Sequence, residues 1–309
     1  MEWLHVGGAP EAHRVTFEKA IEDGIIKALT VISQRFEYSE NPLDNLAFHN
    51  TQHTKGVIER TKKILEAMGA TDRLVRLGEF IAANHDTVQE YEITVDANSG
   101  VKKRSRFIEK NEDASADEAI AFMRTYPSIF DEEDMETVRE AIQATIPGFD
   151  MGKRTVIQPN LLESIDAATV QERLMTSASE LVTRALALAD LGTAGMEEPD
   201  SFVHDGDAIF REENIDVLEA LQHLQSLSDV QKETFMKRML DWTTNQIAFA
   251  QGREASLDKE LEGLPEDMER SVRKLFTHFD ANIQRAQSKV DRRKLMTFEE
   301  LLRDFGYEI

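Results

Sequence analysis

Residues 14–36, with the sequence RVTFEKAIEDGIIKALTVISQRF, carry the pattern that decides the fold of this chain. Apolar side chains recur at intervals of roughly three and four: Val15, Phe17, Ile21, Ile25, Ile26, Leu29, Ile32 and Phe36. This spacing places them on one face of an amphipathic helix. Similar stripes cover about 50–68, 72–87, 115–126, 132–145, 160–195, 209–227, 229–251, 267–287 and 297–304. The sequence therefore predicts an all-α fold.

Breaker residues and one irregular segment set the expected organisation of these helices. Five prolines fall between the apolar stripes: Pro42, Pro127, Pro147, Pro159 and Pro199. The chain has no repeat period and no alternation of strands with helices, so we expect a single all-α domain over residues 1–309. Residues 88–107 differ, because two stretches that could alternate as short strands flank the turn-like DANSG. A hairpin and a mobile insertion are both open there.

The composition limits the partners and the kinds of site. A net charge of −22 repels phosphate backbones and anionic lipids, so we expect no nucleic-acid polymer and no membrane as partner. A small anionic substrate is compatible with it, because a bound cation reverses the local field. The chain has no cysteine, which leaves His, Asp and Glu as metal ligands. Without a long apolar run or a signal-peptide pattern, we expect a cytoplasmic protein.

Two short motifs contain histidines that could act together. In LAFHNTQHT, residues 46–54, His49 and His53 are four residues apart, which on a helix places both on one face. Such pairs are also common as ordinary, partly buried polar residues. The His85-Asp86 pair ends the apolar run FIAANHD, where a buried carboxylate requires a partner such as a cation.

Asp190 is the third feature, a lone carboxylate that ends the Ala- and Leu-rich run LVTRALALAD. A carboxylate at the C-terminus of a helix opposes the helix dipole, so we expect a compensating positive charge nearby, for which a metal is one candidate. The imidazoles of His53 and His85, with two carboxylates, make a donor set suited to Zn²⁺, Mn²⁺, Fe²⁺ or Mg²⁺. All of these residues lie on predicted helices long enough to converge in a bundle.

Two other polar stretches have simpler interpretations. The second His-Asp pair, His204-Asp205, lies in FVHDGDAIF among Gly and Asp, and we expect a solvated loop there. The single concentrated basic patch of this acidic chain falls within 88–107 and consists of Lys102, Lys103, Arg104 and Arg106. It would attract an anionic substrate, or it is simply a solvated face.

These motifs resemble those of the HD-domain metal-dependent phosphohydrolases, and most of all the cyclic-nucleotide phosphodiesterase branch. That branch carries Tyr-His-Asn-x-x-His, which is similar to FHNTQH at residues 48–53. Its His-Asp motif corresponds to His85-Asp86, and its late Ala-Asp-Leu corresponds to residues 189–191. Its Gln-x-x-Phe pair is similar to residues 246–249, QIAF. The similarity spans roughly residues 40–260.

The resemblance implies an HD-domain helical bundle, with a core over about 40–200 and additional helices over about 209–309 packed on it. It implies one or two divalent metal ions, held by His53, His85, Asp86 and Asp190. Asp86 would have a catalytic role by bridging to a second, water-rich ion. His49 would be the catalytic general acid for the leaving oxygen. The residues implied to bind substrate are Asn50, Gln246 and Phe249.

The implied reaction is hydrolysis of a small-molecule phosphoester, with a nucleotide as the expected substrate, by metal-activated water. The chain departs from the branch in two ways: Phe48 replaces the tyrosine, and no histidine occurs between positions 85 and 204. Diesterase and nucleotidase activity are not separated by the sequence, and the oligomeric state stays open. The alternatives are a non-catalytic helical regulator that binds metal or nucleotide, and a helical scaffold with incidental histidines.

Overall fold

The computed structural model describes residues 15–97, 100–167 and 177–309, and these fold mostly into helices. The helices are α1 (Phe17–Phe36), α2 (Thr51–Ala67), α3 (Asp72–Asn84), α4 (Lys110–Met123), α5 (Glu132–Gln143), α6 (Pro159–Ala167), α7 (Ala178–Asp190), α8 (Thr193–Met196), α9 (Pro199–Glu213), α10 (Ile215–Leu221), α11 (Asp229–Glu260), α12 (Glu266–Arg273), α13 (Phe279–Arg293) and α14 (Phe298–Asp304). The strands of the described residues are β1 (Tyr91–Val95), β2 (Lys102–Arg106), β3 (Gly148–Asp150) and β4 (Thr155–Ile157). The prediction of an all-α fold with additional C-terminal helices is confirmed.

Capping side chains determine where many of these helices begin. A side-chain oxygen accepts a hydrogen bond from a backbone N–H of the first turn and so satisfies a donor that the helix itself leaves unpaired. The residues that do so are Thr16, Asn50, Thr71, Asp131, Ser177, Ser228 and Thr297. Each precedes its helix directly, so the local sequence explains these helix starts.

The core lies where α2, α3, α5 and α7 pack on one another. Residues 185–189 of α7, ALALA, are fully buried, and the alanines among them allow neighbouring helices to approach closely. On α3, a Cβ atom at Gly78 would lie 2.3 Å from Cδ1 of Leu65 on α2, so a larger residue there would displace the end of this leucine side chain. The packing brings the start of α2 beside the end of α3, where the ring centroids of His53 and His85 are 5.6 Å apart.

The C-terminal helices share this core. Leu257 of α11, Val272 of α12 and Phe279 of α13 belong to the same apolar cluster as Val57 of α2. A second cluster, centred on aromatic side chains of α9, α11 and α14, includes Phe210, Phe235, Phe298 and Phe305. The extent of a single domain over 1–309 stays a prediction, since residues 1–14 lie outside the described part.

The structure corrects several predicted boundaries. The stripe over 209–227 is divided between α9 and α10, the stripe over 267–287 is divided between α12 and α13, and the helix expected over 229–251 extends to Glu260. The helix expected over 72–87 ends at Asn84, and the stripe over 160–195 is divided among α6, α7 and α8, with residues 168–176 outside the described part. The loop expected around His204-Asp205 is wrong, because both residues lie within α9. Pro199 favours the start of a helix. Phe202 and Phe210 are about two helical turns apart, and both are buried on the side of α9 that packs against other helices.

The hairpin alternative for residues 88–107 is confirmed. Strands β1 and β2 pair antiparallel, with Tyr91 opposite Arg106. Asn98 and Ser99 of the DANSG turn lie outside the described residues. The β3–β4 pair is absent from the sequence prediction, because three-residue strands give too short an alternation to recognise. Among the described helices, none combines the length and the apolar character that a bilayer crossing requires.

Candidate metal centre

The start of α2 positions the two histidines of FHNTQH. Asn50 caps the helix by accepting hydrogen bonds from the N–H groups of Gln52 and His53, so His53 lies in the first turn. His49 precedes the cap and is not helical, in contrast to the predicted shared helix face. The two imidazoles still converge, with ring centroids 5.8 Å apart, and the ring of Phe48 packs against His53 at 4.2 Å.

The end of α3 orients the second imidazole. His85 follows Asn84 directly, and its Nδ1–H donates a hydrogen bond to the carbonyl of Ala82 at 2.7 Å. In a neutral ring this leaves a lone pair on Nε2. Asp86 is the next residue, and both side chains are buried. His85 therefore directs its Nε2, which is an acceptor in the neutral ring, toward the carboxylates of Asp86 and Asp190.

The end of α7 brings the fourth group, Asp190, to the same point. Nε2 of His53 lies 3.5 Å from Oδ2 of Asp86 and 3.5 Å from Oδ1 of Asp190. Nε2 of His85 lies 3.0 Å and 3.5 Å from the same two oxygens. Ligand atoms about 2.0–2.2 Å from a single ion stand roughly 3–3.5 Å from one another. The distances from the two imidazoles to each carboxylate therefore match those within a coordination shell, and the residues whose ligand atoms all lie close together are His53, His85 and Asp86.

The environment of His85 tests whether a cation fits. Its Nε2 is buried and has no hydrogen-bond partner, although Oδ2 of Asp86 is only 3.0 Å away. A lone pair that faces a carboxylate at this distance is unfavourable unless a positive charge lies between them. Ligand atoms of His53, His85 and Asp86 also lie within 4.8 Å of one another. The site could hold a metal ion, and the chemistry of its donors fits a divalent one.

The ionisation of the four groups is mutually dependent. Burial lowers the pKa of His85, but the charge of Asp86 and the nearby Asp190 raise it to about 10. Burial likewise lowers the pKa of His53, and its contacts with Asp190 and Asp86 raise it above the ordinary value. Burial raises the pKa values of the two carboxyls, but the imidazoles bring them below the usual range. The four groups thus favour bound positive charge, as protons or as a metal ion.

Glu212 is a site residue that the sequence reasoning missed. Its Oε2 accepts hydrogen bonds from the backbone N–H groups of Phe48 and His49 at 2.8 Å and 3.0 Å, and its Oε1 contacts Nδ1 of His49. Burial raises the pKa of Glu212, but His49 and these donors lower it to about 2. Glu212 holds the segment before α2 in place. It lies 163 residues from His49, and no local pattern marks it.

A cavity of about 420 Å³ opens beside these groups, within the size range of small-molecule sites. Asp86 and Asp190 lie in its wall, and so does His49. Gln246 and Phe249, predicted to bind substrate, also line it. Asn50 is not among its lining residues, and its carboxamide caps α2. Its role in substrate binding stays a prediction.

The basic residues of β2 lie partly on the protein surface and partly beside the candidate metal centre. Lys102 pairs with Glu219 at 2.8 Å, and Lys103 is exposed. Arg104 donates a hydrogen bond to the carbonyl of Glu212 at 2.9 Å. Arg106 lies against His49, with Nη1 donating to Nε2 at 3.1 Å. Both arginines line the cavity, so part of the patch belongs to the cavity wall.

Comparisons with known proteins leave the site to be interpreted from its own geometry. The similarity of residues 48–53, His85-Asp86 and 189–191 to HD-domain motifs stays a prediction. No model of a known protein family matches this chain, and no curated protein matches it either.

Proposed function

We propose that this protein is a metal-dependent phosphohydrolase of the HD-domain type, and that it hydrolyses a phosphoester of a nucleotide. The proposal is carried by one observation, the convergence of two imidazoles and two carboxylates at separations of 3.0–3.5 Å. A divalent ion bound there supplies Lewis-acid chemistry, since it lowers the pKa of water and screens phosphoryl charge. The chain supplies the donors, the proton and the binding surface.

His49 is proposed to donate the proton to the leaving oxygen. It lies next to the donor set without belonging to it, it lines the cavity, and its Nε2 contacts Arg106, another residue of the cavity wall. The carboxylate of Glu212 at Nδ1 stabilises the protonated ring and fixes its orientation. This division of roles explains why a fifth polar group stands beside four ligands.

The cavity wall supports a nucleotide substrate. Phe249 is parallel to Phe202, with ring centroids 6.4 Å apart, and Gln246 adds an amide that can pair with the edge of a base. Asp205, Glu212 and Glu213 also line the cavity. These carboxylates repel a triphosphate more than a singly charged diester. We therefore propose a diester or a monophosphate as the group that is hydrolysed.

The test combines metal uptake with a substrate screen. Untagged protein stripped with chelator is titrated with Mn²⁺, Mg²⁺ and Zn²⁺, and each form is incubated with mono-, di- and cyclic nucleotides. We expect metal uptake and turnover in the wild type, and loss of both in Asp190→Ala. Asp200→Ala is the control, because Asp200 has an exposed side chain on α9 that pairs with Arg285.

Three outcomes of this experiment are informative. Protein that takes up no metal contradicts the proposal outright. Full metal occupancy in Asp190→Ala removes Asp190 from the ligand set. Metal uptake without turnover of any phosphoester leaves a binding module, the non-catalytic alternative.

A further inference from the structure

Arg106, the last residue of β2, places a fixed positive charge beside the proposed metal. Its Nη1 lies 3.1 Å from Nε2 of His49, and its Nη2 lies 3.3 Å from Oε1 of Glu112 and 3.9 Å from Oδ1 of Asp86. All four residues line the cavity. The guanidinium thus stands among the groups that would surround a second cation in a two-metal site.

The two oxygens of Asp86 have different partners. Oδ2 faces the imidazoles of His53 and His85, on the side of the proposed ion. Oδ1 accepts a hydrogen bond from Nε2 of Gln89 at 2.6 Å and faces Arg106. The oxygen that would bridge to a second ion is therefore already hydrogen-bonded to an amide and lies 3.9 Å from a guanidinium nitrogen.

Glu112 completes the surroundings of this charge. It lies in the first turn of α4, and its side chain is only 3% exposed. A buried carboxylate requires a cation nearby, and Arg106 provides it. Within the described residues, the one group of His, Asp and Glu that could hold a metal is His53, His85 and Asp86, and Glu112 is not part of it.

An unpaired donor on this side of the cavity could bind an anionic ligand. Nε of Arg106 is buried without a hydrogen-bond partner, whereas the other unpaired atoms, Oε1 of Gln89 and Oε2 of Glu112, are acceptors. A guanidinium with a free N–H can bind a phosphate oxygen with two parallel hydrogen bonds. Arg104 is the other arginine of the cavity wall. Its Nη1 donates to the Glu212 carbonyl and its Nε and Nη2 have no hydrogen-bond partner, but it is Arg106 that lies against His49 and Asp86.

Resting on the proposed function, we infer that this centre holds one divalent ion and that the guanidinium of Arg106 replaces the second. Arg106 binds the non-bridging oxygens of the substrate phosphate. In doing so its Nη1 leaves Nε2 of His49, which takes up a proton from solvent and donates it to the leaving oxygen as water forms the new P–O bond and the ester P–O bond breaks. Arg106 contacts the reacting group directly and is a catalytic residue in this scheme.

The first test is metal stoichiometry, which does not depend on activity. Stripped wild-type protein is titrated with Mn²⁺ alone, and bound ion is counted by electron paramagnetic resonance and elemental analysis. We expect one tightly bound ion per chain. Two tightly bound ions per chain overturn the inference and leave the proposed phosphohydrolase intact. No bound ion removes both.

The second test measures affinity for inorganic phosphate in the Mn²⁺-loaded protein by calorimetry. Arg106→Ala should bind one ion as before but lose phosphate affinity by about 10- to 100-fold, the effect of one charged hydrogen-bonding group. Lys103→Ala removes the same charge from an exposed position of β2 and should change the affinity less than about twofold.

Arg106→Lys is a second, more conservative variant, which keeps the test valid if Arg106→Ala fails to fold. Lysine retains the charge without the planar fork, so we expect an intermediate phosphate affinity and an unchanged circular dichroism spectrum. Phosphate affinity equal to that of the wild type in a folded Arg106→Ala or Arg106→Lys protein contradicts the inference.

Discussion

His49 is held between groups of opposite charge, the carboxylate of Glu212 at Nδ1 and the guanidinium of Arg106 at Nε2. Because His49 is proposed to act as an acid and not as a metal ligand, its removal should slow the reaction without reducing metal binding. His49→Ala should retain bound Mn²⁺ and lose about 10²- to 10⁴-fold in kcat on a natural phosphoester. With p-nitrophenyl esters, whose leaving group needs no proton, the loss should be far smaller. Equal losses on both substrates would refute the acid role.

Glu212 makes the free energy of unfolding depend on pH. Its pKa in the folded protein is lowered to about 2 from 4.5, so its stabilising effect is complete above the unfolded pKa. The effect is lost as the pH falls from about 4.5 toward 2. Glu212→Gln should lower the free energy of unfolding at pH 6 by up to about 3 kcal/mol and show a flatter acid dependence. Urea unfolding at several pH values measures both.

Glu213 provides the contrasting control for this pH dependence. Burial raises its pKa, so its charge opposes folding rather than supporting it. Glu213→Gln should therefore keep the acid-induced loss of stability that Glu212→Gln removes. Identical pH profiles for the two variants would show that the hydrogen bonds of Glu212 to the Phe48–His49 backbone have no energetic role.

The predictability of the site differs residue by residue. His49, His53 and the His85-Asp86 pair could be selected from the sequence, because close spacing and a costly buried charge leave local signs. Asp190 could be selected because a carboxylate at the end of an apolar helix opposes the dipole. Glu212 and Glu112 could not, since an acidic residue on a charged helix has no pattern of its own. Their roles arise only when distant helices meet.

At the scale of the element, the cap of α2 matters most for the site. Asn50→Ala removes the acceptor for two N–H groups of the first turn and should lower the free energy of unfolding by about 1 kcal/mol. It should also weaken Mn²⁺ binding, because His53 lies in that turn. Thr71→Ala, at the cap of α3, should cost similar stability without changing Mn²⁺ affinity. Equal Mn²⁺ affinity in both variants would contradict the proposed link.

A helix could be predicted from the sequence where a capping residue directly precedes an apolar stripe with helical spacing. The helix α1 follows this rule, with Thr16 as cap before an apolar face. The segment after Pro199 shows the opposite case, because Gly206 and several aspartates suggest a loop. Burial of Phe202 and Phe210 against other elements outweighs that local preference. This helix therefore depends on tertiary packing, which the sequence of a single segment does not reveal.

At the scale of the whole molecule, buried Arg293 of α13 joins the C-terminal helices to α9. It makes two hydrogen bonds to Asp207 of α9, at 2.8 Å and 2.5 Å, and two to Asp304 of α14, to the carboxylate at 2.8 Å and to the backbone carbonyl at 3.3 Å. It also bonds Thr243 of α11 at 2.8 Å and lies 3.8 Å from the ring centroid of Phe305. One side chain thus connects four helices, and α9 is the helix that presents Glu212 to the site.

Removal of this arginine should destabilise the whole fold. Arg293→Met retains the apolar contact but leaves the carboxylate of Asp207 buried without its cation, which costs about 3–5 kcal/mol. Arg292→Ala is the matched control, because Arg292 pairs with the same Asp304 from a side chain that is 51% exposed, and its loss should cost less than about 1 kcal/mol. Urea unfolding compares the two. Losses of equal size would mean that burial of Arg293 does not hold α9 to the C-terminal helices.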